Sequence, residues 1–182
     1  MDLYAQTGVV TVPTLRTERL VLKAPRSRDV RVVAKALNDF AVSRWLTVVP
    51  FPYGVTDAEW FINENLRGAF QAWFIWAGER FVGTIGLDGE LGYWIAQDAW
   101  GQGYATEGAR AVVDHHFQTS DDNRLRSGHF EENAASRRVL TKLGFEDIGS
   151  HTQFSQARQE DVAGRSMLLT RAAWDRLRTA PQ

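Results

Sequence analysis

A mixed α/β fold is predicted for this chain, with a mostly antiparallel sheet flanked by helices in one domain. Three observations predict it. Apolar runs of strand length, separated by hairpin turns, fill residues 72–96. Stretches with apolar residues three and four apart lie before and after that block. A glycine-rich turn joins the last of those strands to the helix that follows. The 182 residues suit one domain spanning 1–182, with its core at about 14–178. A hydrophobic fraction of 44% and an aromatic fraction of 12% are ample for that core and exclude a disordered chain.

Arg19-Leu20-Val21-Leu22-Lys23 reads as a first strand. Ser27 or Asp29, both good capping types, opens a helix through Val33, Ala36 and Leu37. Thr56-Asp57-Ala58-Glu59 has the form of a capping box. Behind it Ala58, Phe61, Ile62, Leu66, Ala69 and Phe70 keep helical spacing. Ala72 to Trp76 and Phe81 to Leu87 form a hairpin around Ala77-Gly78-Glu79-Arg80. Asp88-Gly89 turns the chain into a third strand, Leu91 to Ala96. After the glycine turn come a helix to about Phe117, a strand from Arg124 or Leu125 to Phe130, and a helix from Ala134 to Leu143. Gly144 stands where a helix C-cap belongs. Phe145 to Gly149 and Met167 to Thr170 are the last strands, with a short helix around Trp174. The polar stretch Thr152 to Arg165 between them reads as a long hairpin loop.

Twenty-one basic and 22 acidic residues leave a net charge of −1, so no broad footprint for nucleic acid is expected. The chain has no cysteine, which excludes disulfides, thiolate metal sites and a cysteine nucleophile. Met1 to Thr7 lacks the basic start and apolar core of a secretion signal. No run approaches the length of a membrane span. A cytoplasmic protein without a membrane partner, monomer or homodimer, is expected. His115 and His116 are adjacent and diverge on a helix, and His129 and His151 have no ligand-like spacing to them, so no metal is expected. No Gly-x-Ser-x-Gly elbow of a serine hydrolase occurs.

The chemistry concentrates in Trp100-Gly101-Gln102-Gly103-Tyr104-Ala105-Thr106-Glu107, between the Leu91–Ala96 strand and a helix. Helix N-termini bind anions because their first N–H groups are unpaired and the helix dipole adds partial positive charge. Two glycines leave no Cβ to keep a phosphate from those N–H groups. A phosphorylated ligand is therefore expected at Gly101 to Thr106. A Walker loop would need Gly-Lys-Ser/Thr, and there is no lysine here. A dinucleotide fold would need an acidic residue at the end of the next strand, whereas Asp121 and Asp122 precede it.

Together with Asn133-Ala134-Ala135-Ser136…Leu143-Gly144-Phe145, this turn resembles the GNAT acetyltransferase superfamily, in particular its RimJ/RimL-type branch. Arg16-Thr17-Glu18-Arg19-Leu20-Val21-Leu22 and Leu169-Thr170-Arg171-Ala172-Ala173-Trp174 match as well, so the likeness covers nearly the whole chain. Trp100 takes the place of the usual first Gln or Arg of the family's pyrophosphate motif. The resemblance implies the GNAT fold, with acetyl-CoA as co-substrate held by Gly101, Gln102, Gly103, Tyr104, Ala105 and Thr106. It places Tyr93, Trp94 and Ile95 beside the pantetheine arm, with a main-chain N–H facing the thioester oxygen. The strand is expected to splay from its neighbour at Gly92 or at the Gln97-Asp98 exit. Asn133, an N-cap by type, is also implied as a cofactor contact, and Ser136 as a group near the sulfur.

One departure matters. The family often carries a tyrosine general acid seven residues after the asparagine, and that position here is Leu140. Ser136, a tyrosine from elsewhere, or solvent must then serve the departing thiolate. Glu90 is the first candidate for the base that deprotonates the amine, with Glu131, Glu132 and His129 as alternatives. An α-amine is roughly a tenth neutral at pH 7 and needs less help than a lysine, neutral about once in 2,500. Trp45 and Tyr53, in an aromatic cluster between the first two helices, are candidates for the acceptor groove. The expected activity is direct acetyl transfer to a primary amine, on a protein N-terminus or a small molecule, since no cysteine exists to carry the acetyl. The alternative is an acetyl-CoA-binding sensor or interaction module without catalysis.

Overall fold

The computed structural model describes residues 12–179. The reading of Met1 to Thr7, and both ends of the expected 1–182 span, lie outside them. Eight strands form one sheet in the order β1-β2-β3-β4-β5-β6-β8-β7. The strands are β1 (Leu15–Arg16), β2 (Val21–Lys23), β3 (Ala72–Ala77), β4 (Arg80–Leu87), β5 (Glu90–Ile95), β6 (Arg124–Phe130), β7 (Glu146–Ser155) and β8 (Glu160–Thr170). The helices are α1 (Val30–Leu37), α2 (Phe40–Ser43), α3 (Val55–Leu66), α4 (Tyr104–Thr119), α5 (Ala134–Lys142) and α6 (Arg171–Thr179). Among the described residues, no helix is long and apolar enough to cross a membrane.

Two apolar clusters sandwich the sheet. On one face Ile75, Ile85, Leu91, Val112, Phe117, Leu140 and Leu169 pack together under α4 and α5. On the other, Val33, Leu37, Ala58, Ile62 and Phe74 pack under α1 and α3. Each buried Val, Leu, Ile or Phe side chain among them contributes about 1.5–3 kcal/mol of transfer free energy. Together they fix which face each strand turns inward.

Most elements follow the sequence, and the differences have local causes. α3 starts at Val55, where the Asp57 carboxylate accepts the Gly54 N–H at 2.7 Å, so Thr56 lies inside the helix rather than capping it. It stops at Leu66 rather than Phe70, because Gly68 at φ 80° turns the chain and sends Phe70 back against Trp60. Asp29 stands at the N-cap of α1 by position, but its carboxylate does not cap that helix; it accepts the Arg26 N–H at 3.0 Å and closes the short turn before it. β1 and α2 have two and four residues, too few to show a period. Gly144, at φ 90°, caps α5 as its sequence suggests.

The expected loop at Thr152 to Arg165 is a correction. It forms the outer half of a long hairpin, β7–β8, turning at residues 156–159. Its side chains are mostly exposed or half-buried, so hydrophobic alternation is faint along it. The backbone ladder and an Arg165–Asp147 ion pair with bonds of 2.8 Å hold it instead.

One break in the sheet positions the candidate site. β5 and β6 are neighbours in parallel, the one parallel junction among these strands, and they pair only at Glu90↔Arg126 and Leu91↔Ser127. Beyond that point β5 stays with β4 as far as Ile95, and β6 stays with β8 as far as Phe130. The two strands therefore part from Gly92 and Gly128 onward and leave an open fork. The splay expected at Gly92 or at Gln97-Asp98 begins at Gly92.

Candidate functional site

The fork has an exposed backbone wall. Ala96 donates its N–H to the Val82 carbonyl at 2.9 Å, so the even-numbered residues of β5 bond to β4. Backbone direction alternates along a strand, so the odd-numbered residues face β6. The Leu91 carbonyl accepts Ser127 Oγ–H at 2.7 Å, the last bridge before the fork opens. The Ile95 carbonyl accepts Trp100 Nε1–H at 2.7 Å, so the tryptophan of the glycine motif anchors the turn to β5. The N–H groups of Tyr93 and Ile95 are left facing the gap, with no strand opposite them. They are placed to meet a polar extended chain lying in the fork.

At the open end of the fork lies the glycine turn. Gly101 and Gly103 have φ of 75° and 79°, a region that costs non-glycine residues energy, and Gly103 is the N-cap of α4. Tyr104, Ala105 and Thr106 form the first turn of that helix, so their N–H groups have no partner within it. A Cβ on Gly101 would meet nothing within 4 Å, and one on Gly103 only Arg19 Nη2 at 3.4 Å. Aligned donors without covering side chains fit a phosphate group.

A short hydrogen-bonded chain crosses from β5 to α5. Asn133 caps α5, its Oδ1 accepting the Ser136 N–H at 3.0 Å, which leaves its amide N–H groups for other partners. Ser136 Oγ lies 2.8 Å from the Tyr93 hydroxyl, which also donates to the Ser136 carbonyl at 3.2 Å. Burial pushes the Tyr93 hydroxyl up to about 12, against the opposing effect of its bond to Ser136. It stays protonated at neutral pH and is able to donate. Leu140, where the family's tyrosine often stands, is wholly buried in the core. The family resemblance implies Tyr93 beside the pantetheine arm but gives no sign that its hydroxyl meets Ser136.

The remaining candidates do not gather at one point, and His129 shares the face of Leu125 on β6, turned toward α4 and α5. Glu90 and Gly92 alternate with the core residues Leu91 and Ile95, so they share a face with Trp94. Glu90 is exposed at the joined end of the fork, in register with Arg126. His129 is 5% exposed, its Nδ1 lies 2.8 Å from the Phe130 carbonyl, and its Nε2 is buried without a partner. Glu132 pairs with Arg158, and Glu131 lies 3.7 Å from Arg165. Trp45 is stacked by two guanidinium groups, Arg44 at 4.9 Å and Arg158 at 5.2 Å. Arg158 also donates to the Arg44 carbonyl at 2.8 Å and lies over Phe130, joining the tip of the β7–β8 hairpin to the Trp45 segment. Tyr53 is 5% exposed within the core under α1 and α3, and that burial raises its hydroxyl's pKa, helped by the charge of Asp57.

A histidine without ligand spacing also borders the fork. His151 Nδ1 is 3.0 Å from Ser166 Oγ, and its ring lies over Gly164, where a Cβ would come within 2.7 Å of Nε2. Its Cε1 is 3.9 Å from the Cβ direction of Gly128, which is where β6 leaves β5. Among the described residues no group of three or more His, Cys, Asp or Glu could hold a metal ion.

Comparison with known proteins follows the same lines. A family model described as Acetyltransferase (GNAT) domain matches residues 19–146. The chain is 27% identical over 158 residues to "Uncharacterized N-acetyltransferase p20" of Bacillus licheniformis, covering 80% of this chain and 89% of that protein. RimL, a ribosomal L7/L12 alpha-N-protein acetyltransferase solved with coenzyme A, superposes with a TM-score of 0.76 at 16% identity, over 88% of this chain and 99% of its own. The Microcin C7 self immunity acetyltransferase MccE, solved with acetyl-CoA and AMP, gives 0.73 at 14% identity, over 85% of this chain and 93% of its own. At these identities the two structures speak for the fold alone.

Proposed function

This chain belongs to the GNAT acetyltransferase family, and from that premise we propose that it transfers acetyl from acetyl-CoA directly to a primary amine in a ternary complex. The observation that carries the reading is the fork between β5 and β6, with unpaired N–H groups along one wall, the glycine turn at its mouth and the Tyr93–Ser136 contact beside it. Residues at about 14–178 act as one N-acetyltransferase domain.

Acetyl-CoA supplies a thioester, whose C–S bond gives way to a C–N bond as the acetyl moves. Gly101, Gln102, Gly103, Tyr104, Ala105 and Thr106 hold its pyrophosphate through their backbone. Tyr93, Trp94 and Ile95 line its arm, and the free N–H groups of Tyr93 and Ile95 are donors for carbonyl oxygens, including one that gains negative charge during transfer. Asn133 adds a side-chain donor. Ser136 and Tyr93 serve the sulfur, because a proton given through this pair makes a better leaving group of the thiolate. The amine's proton leaves through one of two bases at the acceptor face, Glu90 or His151. Trp45 borders the groove on that side, while Tyr53 lies in the core under α1 and α3 and supports it only from there.

The acceptor is a primary amine on a protein N-terminus or a small molecule. RimL is named for the first class and MccE for an immunity function. The alternative, an acetyl-CoA-binding module without turnover, draws modest support from Leu140, and the Tyr93–Ser136 contact weakens it by offering another proton source.

Acetyl-CoA at 100 times its dissociation constant should stabilise the fold by about 2.7 kcal/mol, because it binds the native state alone. Melts with acetyl-CoA, CoA and NAD check this. A shift with NAD and none with acetyl-CoA contradicts it.

Ser136→Ala and Tyr93→Phe should each lower kcat about tenfold, equivalent to about 1.4 kcal/mol in the transition state. Acetyl-CoA affinity should change little, since the interaction grows only as the sulfur leaves. The double variant should be little worse than either single one, because the two hydroxyls act as a unit. Turnover on a responsive amine, alongside a direct cofactor titration, gives the result. Equal losses in binding and turnover would make Ser136 a positioning residue and return the search for the acid to other groups.

A further inference from the structure

The glycine turn is held from outside by a segment far away in the chain. Thr17 and Arg19 lie just before β2, in the Arg16–Leu22 stretch, and Glu107 lies in the first turn of α4. Glu107 Oε1 accepts Thr17 Oγ1–H at 2.6 Å and the Arg19 backbone N–H at 3.0 Å. Its Oε2 accepts Arg19 Nε–H at 2.7 Å and pairs with Nη2 at 2.6 Å. Arg19 then uses its third nitrogen, Nη1, to donate to the Gln102 carbonyl at 2.9 Å. Its guanidinium also lies 5.1 Å from the centre of the Tyr104 ring. Thr17 is fixed in turn, its Oγ1 accepting the Leu20 N–H at 2.9 Å.

The direction of one peptide follows from these bonds. A trans peptide is planar, with its C=O and N–H pointing in opposite directions. Fastening the Gln102 carbonyl to Arg19 therefore aims the Gly103 N–H away from the clasp. Without that bond the Gln102–Gly103 peptide could turn over cheaply, because glycine tolerates either sign of φ. The Arg19 charge is met by Glu107, so the pair acts through direction more than through net charge. Partial burial works against the Glu107 carboxylate, but the hydrogen bonds from Thr17 and Arg19 and the Arg19 charge outweigh it, and its carboxyl is held below the usual range. Glu107 therefore enters the clasp as a carboxylate at neutral pH.

We infer that Glu107 and Arg19 are positioning residues for acetyl-CoA, locking the Gln102–Gly103 peptide with its N–H turned toward the pyrophosphate. This rests on the reading that the turn holds that pyrophosphate. It gives a role to two sequence motifs that are distant in the chain and meet in the fold. Lysine in place of Arg19 does not reproduce the clasp, since one ammonium lacks the planar fork that reaches Glu107 and Gln102 together.

The test compares two probes, acetyl-CoA and S-acetylpantetheine, which has the same thioester arm without the pyrophosphate. Dissociation constants are measured by calorimetric titration, with competition for the weaker probe, on the parent protein and on Glu107→Gln, Arg19→Met, Arg19→Lys and the Glu107→Gln/Arg19→Met double variant. A urea melt of each confirms the fold. Acetyl-CoA binding should weaken about tenfold in Arg19→Met and Arg19→Lys and severalfold in Glu107→Gln, with the double variant no worse than Arg19→Met. S-Acetylpantetheine binding should stay within twofold throughout. Unchanged acetyl-CoA affinity in Arg19→Met overturns the inference. So does an equal loss for both probes, which would make the clasp a support of the fold in general. If the parent binds both probes equally well, the turn does not hold a pyrophosphate, and the underlying reading fails together with the inference.

Discussion

Gly83→Ala should cost about 3 kcal/mol of stability, at the upper end of what overpacking a well-filled site does. β4 and β5 approach so closely at this point that a Cβ on Gly83 would lie 2.2 Å from the Trp94 carbonyl oxygen and 3.0 Å from Ile95 Cα. Both neighbours are backbone, so no rotamer change relieves the contact. β5 itself must move, and it carries the fork wall of Tyr93, Trp94 and Ile95. For a chain of this length the thermal midpoint should fall by about 6–12 °C. Cofactor binding should weaken as well, because the displaced strand is the one whose free N–H groups line the fork. Urea unfolding measures the loss. A variant within 0.5 kcal/mol of the parent, about the range of an ordinary surface change, would mean that the two strands are not packed this closely.

Gly103→Val should weaken acetyl-CoA binding about a hundredfold, equivalent to about 2.7 kcal/mol. Two effects add. A branched side chain at φ 79° is strained, so the turn relaxes away from its present shape. The added carbons also crowd Arg19 Nη2, 3.4 Å from where a Cβ would stand, and so disturb the clasp that aims the Gly103 N–H, where a hydrogen bond to a charged group contributes about 1.5–3 kcal/mol. Gly103→Ala, with the smaller side chain, should fall between parent and valine and separates strain from bulk. Calorimetric titration reads the affinity, and circular dichroism checks that the helix survives. A normally folded valine variant that binds as well as the parent would make the turn purely structural.

What could be read in the sequence was local. The hairpins between Ala72 and Ile95 declare themselves by short apolar runs and by Gly78 and Gly89, both at positive φ in their turns. The glycine turn and the caps at Asn133 and Gly144 are equally short-range signals. The fork needed more than that. Gly92 was visible as a possible break, but that it parts from Gly128 depends on how β5 meets β6 across the crossover. Tyr93 and Ser136, 43 residues apart, meet because a strand and a helix pack together, and no spacing rule announces it. Glu107 and Arg19 are 88 residues apart. His151 has no ligand-like spacing in the sequence, and its place beside the fork follows from β7–β8 continuing through a polar stretch that reads as a loop. The leucine at position 140 is legible at once, whereas the meeting of the Tyr93 hydroxyl with Ser136 is not, because the two lie on different elements.

Direct transfer at the fork is the central claim, and one measurement reaches it. The purified protein is incubated with acetyl-CoA and a panel of α-amine, polyamine and lysine-type acceptors, with thiol release and acetylated amine counted together and the protein's own mass recorded. The account predicts one acetylated amine for each thiol released, on at least one acceptor, with no acetyl retained on the protein when the amine is left out. No thiol release with any amine, despite tight acetyl-CoA binding, would contradict it in favour of a binding module, and an acetylated protein that passes its acetyl on after acetyl-CoA is removed would contradict direct transfer.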